Sequence, residues 1–212
     1  MDRSYPSNWE NFFFGPVFMF LPRILETLAV SVVYLVTARL SQIFAMEPGN
    51  ISPVWIPSGI MLCWVMLRGK YLLAGVFFGA FAGNSWAYLD VSSLSAALPG
   101  LFAGLMNGLG DALAIQFSIV LLTRFVPDLN FFRRSDAFLA FFLSCVVLGP
   151  MTSAIFGTGS LWLAGIMADG QFMTALMTWF LGDSVGVLLL APSILVIYFG
   201  PTLQKRSAPL IE

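Results

Sequence analysis

Residues 179–192 read WFLGDSVGVLLLAP, and they place one carboxylate, that of Asp183, inside an apolar stretch that runs over residues 172–199. About 20 apolar residues cross a bilayer, so the stretch is long enough to span one. A charged aspartate near the middle of a span costs about 2.5–3.5 kcal/mol on insertion scales. We therefore expect Asp183 to face a partner, a cavity or a ligand rather than lipid. A second aspartate, Asp111, follows a Leu-Gly pair in the same way within an earlier apolar stretch.

The composition indicates a membrane protein. Hydrophobic residues make up 58% of the 212 residues and charged residues 10%, whereas an ordinary soluble domain has about 25% charged residues. The mean hydropathy of +0.88 agrees with this reading. We predict an all-α fold, a polytopic bundle of transmembrane helices embedded in a lipid bilayer. The net charge of −1 gives no electrostatic reason to expect nucleic-acid binding.

The residue types that bind metals or carry out catalysis are scarce. Histidine, the commonest metal ligand and proton shuttle, is absent. Cys63 and Cys145 lie in apolar runs, which predicts two buried thiols rather than a disulfide or a zinc site. The sequence also has no glycine-rich nucleotide-binding loop beside a lysine. It therefore predicts no cofactor, no metal and no enzymatic activity of the chain by itself.

The hydropathy pattern predicts six membrane-crossing segments. They are residues 21–46, 53–67, 71–88, 98–125, 137–163 and 172–199. Pro53 and Pro57 favour an irregular or re-entrant start of the second segment. Pro99-Gly100 and Gly149-Pro150 predict breaks or kinks in the fourth and fifth segments, because proline has no N–H to donate within a helix.

The segments divide the chain into three parts. Residues 1–20 contain an apolar run that is too short to span, which predicts an interfacial N-terminal segment. Residues 21–200 form the integral-membrane domain, and residues 201–212 form a cytoplasmic tail or the start of a linker.

Charged residues alternate between the turns and predict the orientation. Acids occupy three alternate turns, at Glu47, Asp90 and Asp169. Basic residues follow the second, fourth and sixth segments, and these are Arg68, Lys70, Arg124, Arg133, Arg134, Lys205 and Arg206. Because basic residues are retained on the cytoplasmic side, six spans place both termini in the cytoplasm.

Small residues recur every four positions in two of the segments. They are Gly75, Gly79 and Gly83 in the third segment and Gly149, Ser153 and Gly157 in the fifth. Such spacing lets helix backbones approach closely, and Gly182 and Gly186 are expected to pack in the same way. Each stripe precedes a Leu-Gly-Asp, so the third-to-fourth and fifth-to-sixth pairs are predicted to be two copies of one packing unit, a weak parallel repeat.

The two aspartates have a functional and a structural interpretation. Asp111 lies four residues after Asn107, and Asp183 lies four after Trp179, so each pair shares a helix face. The functional interpretation is an intramembrane pocket, open to the outer side, that binds a small ligand or responds to protons. The structural one is that both acids are hydrogen-bonded within the bundle and fix helix register. Arg39 is the candidate ion-pair partner of Asp183, unless it snorkels to the surface.

A second candidate site lies at the start of the second segment. Trp55, Pro57, Ser58 and Gly59 suit either an irregular backbone that contacts a ligand or an aromatic anchor at the interface with a proline-led helix start. Asn84 is equally open to capping, helix bridging or ligand contact.

These motifs resemble the first membrane-associated sensor (MASE-type) family. The resemblance rests on residues 55–59 (WIPSG), 79–84 (GAFAGN) and 179–186 (WFLGDSVG), in that order, and it covers residues 25–192. It implies a bacterial inner-membrane input module of histidine kinases, diguanylate cyclases or related phosphatases, acting in two-component or cyclic-di-GMP signalling. It further implies that a cytoplasmic output domain belongs to the parent protein. The family is often described with eight helices, against six segments here.

We therefore predict a sensory module that detects an unknown small-molecule or protein signal in the outer half of the bundle and relays it to a cytoplasmic output. One alternative is a small transporter or solute-binding membrane subunit that uses the intramembrane aspartates. Another is a purely structural membrane anchor. The sequence leaves the choice between monomer and homodimer open.

The orientation can be tested by thiol labelling. In a chain without its native cysteines, single cysteines at Glu47, Asp90 or Asp169 should react with a membrane-impermeant reagent added outside, and cysteines at Lys70 or Arg134 should not, because basic short loops stay inside. Labelling of position 70 from outside would overturn both the orientation and the span count.

Overall fold

The computed structural model describes residues 23–126 and 134–207, with side chains through residue 198. Its six helices fall on the six predicted segments, which confirms the predicted helical bundle. They are α1 (Arg23–Gln42), α2 (Ile56–Arg68), α3 (Leu73–Tyr88), α4 (Leu94–Phe125), α5 (Ser135–Leu163) and α6 (Phe172–Ser207). The predicted interfacial segment at residues 1–20 lies outside the described residues. Helix α6 continues across the predicted domain boundary at residue 200.

Four helices, α1, α4, α5 and α6, are long and apolar enough to cross a membrane. Helix α2 has 13 residues and α3 has 16, about 20 Å and 24 Å of helix at about 1.5 Å per residue. Residues 52–55 lead into α2 without regular structure, which confirms the irregular start indicated by Pro53 and Pro57. Six crossings, and the orientation that follows from them, stay predictions.

One of the two predicted interruptions occurs. Helix α5 is π-helical over Phe142–Leu148, directly before Gly149-Pro150. Pro150 cannot bond the carbonyl of Val146 four residues earlier, and the Oγ of Ser184 on α6 donates to that carbonyl at 2.7 Å. The fourth segment has no break, because α4 is continuous through Pro99, and a kink there stays a prediction. Proline there removes a single bond close to the exposed start of the helix.

The helices close into a ring in the order α1, α3, α4, α5, α6, α2, and α2 also touches α4. Helices α1 and α3 run parallel, since Gly75 lies against Thr27 and Gly83 against Ala38. We call the end of the bundle with the loops that carry Glu47, Asp90 and Asp169 the acidic end. The opposite end, which carries Arg68, Lys70 and Arg124, is the basic end.

Buried apolar side chains form two clusters. The larger one extends from the basic end to the middle of the bundle and includes Leu72, Leu122 and Phe141. The smaller one lies beneath the acidic-end loops and includes Ile51 and Leu161. Both cysteines are buried, as the sequence predicts, and neither forms a disulfide.

The glycine stripe of α3 faces α1. A Cβ at Gly79 would lie 2.6 Å from the Cβ of Tyr34, which is closer than two carbon atoms can pack. The contact at Gly83 is looser, since its Cβ would lie 3.3 Å from that of Ala38. The close approach of α1 and α3 therefore depends most on the middle of the stripe.

The stripe of α5 makes different contacts. Gly149 faces Ser118 on α4, whereas Gly157 faces the indole of Trp179 on α6. The sequence predicts that the pairs α3–α4 and α5–α6 are two copies of one packing unit. Their stripes have different packing partners, because the stripe of α3 faces α1 and not α4. The glycines between α3 and α4 belong to α4 itself, and they are Gly100, Gly104 and Gly108.

The helix contact predicts opposite effects for two glycine-to-alanine changes. Gly79→Ala should lower the thermal midpoint in detergent, because overpacking typically costs about 1–3 kcal/mol and exceeds the gain of about 0.5–1 kcal/mol that alanine brings to a helix. Gly159→Ala on α5 is the matched control and should raise the midpoint, since nothing lies within 4 Å of its Cβ position. If both changes raise it, the α3 stripe faces lipid.

Candidate functional site

Two cavities contain most of the predicted site residues. The larger, which we call the aspartate cavity, measures about 30 Å³ and lies between α2, α4, α5 and α6. Its polar lining residues are Ser58, Asp111, Ser118, Ser153 and Asp183, and the remaining lining is apolar apart from the thiol of Cys145. Helices α4 and α6 thus bring Asp111 and Asp183, which are 9% and 2% exposed, to one shared space.

Asp111 accepts hydrogen bonds from two neighbouring helices. The hydroxyl of Tyr34 on α1 donates to Oδ2, and Ser153 Oγ on α5 donates to Oδ1 at 2.7 Å. Tyr34 is 1% exposed, so its bond is shielded from water. The carboxylate therefore fastens α4 to both α1 and α5.

Asp183 is bonded at one oxygen only. Ser58 Oγ on α2 donates to Oδ1, whereas the enclosed Oδ2 has no hydrogen-bond partner among the described residues. Helix α2 reaches Asp183 because α6 presents a glycine to it, and a Cβ at Gly186 would lie 2.0 Å from the carbonyl oxygen of Trp55. The position of Ser58 thus depends on a backbone contact that only glycine permits.

The predicted Arg39–Asp183 ion pair is wrong. Arg39 Nη1 donates to Gln42 Oε1 at 2.8 Å, and its guanidinium lies 4.4 Å from the centroid of the Trp86 ring. Helix α1 packs against α2 and α3, and α2 separates it from α6 in the ring, so Arg39 is turned away from Asp183. A long side chain that extends toward the end of the bundle fits the snorkelling alternative.

The second space, which we call the tryptophan cavity, lies at the acidic end and measures about 20 Å³. Three predicted site residues meet there, Trp55, Asn84 and Trp179, although they come from three separate parts of the sequence. The remaining lining residues are Gln42, Asn50, Ile51, Ser52 and Tyr88.

Trp55 connects the tryptophan cavity to Asp111 and to α6. Its indole Nε1 donates to the hydroxyl of Tyr34 at 3.1 Å, and that hydroxyl donates to Asp111. Its main-chain N–H donates to the carbonyl of Gly182 on α6 at 2.9 Å. A displacement of Trp55 would therefore disturb α1, α4 and α6 together.

Three predicted site residues line neither cavity. Pro57 lies in the first turn of α2, and Gly59 faces the backbone of Gly186. Asn107 is buried, accepts a hydrogen bond from Ser160 Oγ at 3.3 Å, and keeps an Nδ2 without a partner among the described residues. These residues position or extend the site and do not border its space.

The sequence interpretation missed Tyr34, the residue on which the connection between the cavities depends. A single tyrosine within an apolar span gives little local signal. The one available sign is that Val30, Tyr34 and Ala38 follow each other at four-residue spacing on the buried face of α1. Ser118 of the aspartate cavity was missed for the same reason.

A polar cluster at the basic end was also missed. The carboxylate of Glu26, 4% exposed, accepts hydrogen bonds from the indole of Trp64, the guanidinium of Arg68 and the hydroxyl of Tyr71. These four residues join α1, α2 and the turn before α3. The charge of this buried acid is balanced by the guanidinium of Arg68, and two neutral donors bond to it as well. The lining of the aspartate cavity, in contrast, contains no basic side chain.

The MASE1 family model matches residues 25–212 of the chain. This range includes both cavities and all of the described helices except the first two residues of α1. No curated protein and no solved structure matches the chain.

The link through Tyr34 predicts a specific loss of stability. Tyr34→Phe should cost about 1–3 kcal/mol, because it leaves a buried carboxylate oxygen and a buried indole N–H without partners. Tyr88→Phe is the matched control and should cost about 0.5–1.5 kcal/mol, since its hydroxyl donates only to the carbonyl of Gly49 in a loop, at 3.0 Å. Unfolding in detergent measures both, and equal losses would contradict a buried Tyr34–Asp111 link.

Proposed function

The chain belongs to the MASE1 family of membrane-associated sensor domains of bacterial histidine kinases and diguanylate cyclases, and on that premise we propose that it detects a stimulus toward the acidic end and relays it through α6 to a cytoplasmic output. The tryptophan cavity receives the stimulus, and α6 carries the response. The function is sensory, and no catalytic step is assigned to the chain.

The observation that carries the proposal is the double attachment of Trp55. Its side chain borders the tryptophan cavity and donates to Tyr34, while its main-chain N–H is bonded to Gly182 on α6. Because the side chain and the main chain of one residue make these contacts, a movement of the Trp55 indole acts directly on α6. Trp179 also borders the tryptophan cavity and belongs to α6 itself.

The chemistry of the tryptophan cavity suits a small ligand with polar groups. Aromatic faces come from Trp55, Tyr88 and Trp179, and amide donors and acceptors come from Gln42 and Asn84. A space of about 20 Å³ holds about one water molecule. A larger stimulus must therefore displace lining side chains, and displacement of Trp55, which is bonded to α6, or of Trp179, which lies on α6, reaches that helix.

Helix α6 is suited to carry the response. It is 36 residues long and runs without interruption from the acidic end past the basic end. A packed helix moves as a unit, so a shift or rotation near Gly182 appears at its far end. In the predicted orientation that end lies in the cytoplasm, where an output domain can be attached.

The proposal is tested in a fusion of the chain to a diguanylate cyclase, with cyclic-di-GMP as the readout. Trp55→Phe keeps an aromatic ring at the position but removes the indole N–H, and it should change basal output severalfold at equal protein level. Trp162→Phe is the matched control and should leave output unchanged, because it removes an indole bond to Asp169 that lies outside both cavities.

A second fusion, with the bundle replaced by an unrelated helical anchor, separates sensing from anchoring. Output that is the same for the natural chain, the Trp55→Phe variant and the unrelated anchor would overturn the proposal and leave a structural membrane anchor as the function.

A further inference from the structure

We propose that the aspartate cavity binds one alkali-metal cation, held between the carboxylates of Asp111 and Asp183. This proposal extends the proposed sensory function. It rests on that function only for the role of the cation in signalling. The binding site itself follows from the residues that line the cavity.

The first argument is charge. Residues carrying two carboxylates line one space, and its lining contains no basic side chain. The ion pairs among the described residues, Arg68 with Glu26 and Arg134 with Asp136, involve neither aspartate. A buried anion without a counter-charge is costly, because the low-dielectric interior replaces its water. One positive charge between the two carboxylates offsets part of that cost.

The second argument is an oxygen without a partner. Asp183 lines the aspartate cavity and is 2% exposed, and its buried Oδ2 has no hydrogen-bond partner among the described residues. Its sister oxygen accepts from Ser58. Buried acceptors are bonded in nearly all native proteins, so one that faces a cavity points to a ligand there.

The third argument concerns which cation fits. Carboxylate and hydroxyl oxygens are hard ligands, and Ser58 and Ser153, which donate their protons to the carboxylates, keep lone pairs for a cation. A space of about 30 Å³ has room for a water-sized ion. Magnesium retains several waters in its coordination shell, and a space of this size has no room for them. Among the described residues no three His, Cys, Asp or Glu side chains converge to hold a transition metal.

The test uses the whole chain in detergent, with the thermal midpoint as readout. Sodium chloride and potassium chloride are titrated against choline chloride at constant ionic strength and constant pH. The midpoint should rise with one or both alkali salts and saturate, and the stronger salt identifies the preferred ion. Asp183→Asn should abolish the rise, whereas Asp90→Asn, in an exposed loop, should leave it unchanged.

A second variant and a direct measurement cover the case in which Asp183→Asn does not fold. Ser58→Ala removes the partner that orients Asp183, and it should weaken the apparent affinity about 10–100-fold. Sodium-23 NMR line broadening should appear with sodium on the wild-type chain and be weaker on the Ser58→Ala variant.

Three results would overturn the cation site: no difference between alkali and choline salts, an equal response in Asp183→Asn, or stabilisation by acid alone with no response to either salt. None of these depends on signalling output. If the alkali salts do not raise the thermal midpoint but Trp55→Phe still changes the output of the fusion, only the cation site is overturned. Cation binding together with an unresponsive fusion overturns only the proposed function.

Discussion

Burial of two carboxylates in an apolar bundle constrains the packing of every helix around them. Each acid needs donors, because a buried carboxylate that has lost its water and gained nothing in return costs several kcal/mol. The donors come from three other helices: Tyr34 on α1, Ser58 on α2 and Ser153 on α5. With α4 supplying Asp111 and α6 supplying Asp183, these bonds join α1, α4 and α5 in one group and α2 and α6 in another.

Glycine residues let the helices come close enough for these bonds to form. Lipid provides no hydrophobic force between helices, so close backbone contact and polar bonds have to hold them together. Helix α6 offers Gly182 and Gly186 to residues 52–55 and the start of α2, and a Cβ at either glycine would fall within 2.3 Å of a carbonyl oxygen. The same contact brings Ser58 to Asp183. The residues that build the site and the residues that pack the helices are therefore neighbours in sequence for a physical reason.

The two halves of the bundle differ in how completely their polar groups are satisfied. At the basic end, Glu26 is bonded by Trp64, Arg68 and Tyr71 and joins three elements firmly. The tryptophan cavity lies at the acidic end and the aspartate cavity in the middle of the bundle. The buried polar atoms that lack partners among the described residues belong to Ser85, Asn107, Thr158 and Asp183. Polar groups are therefore less completely satisfied in this part of the bundle than around Glu26.

The sequence by itself determined the membrane class, the six helices, the irregular start of α2 and the burial of Asp111 and Asp183, because hydropathy, proline positions and the cost of a charge in an apolar stretch are local properties. It also singled out Trp55, Asn84 and Trp179 one by one. Only the tertiary structure decided what these residues touch. The rotation of each helix and the order of the helices in the ring place Arg39 against Trp86 and bring Ser58 within hydrogen-bond distance of Asp183. They also place Tyr34 between Trp55 and Asp111. No periodicity within one segment encodes those choices, since they depend on which helices become neighbours.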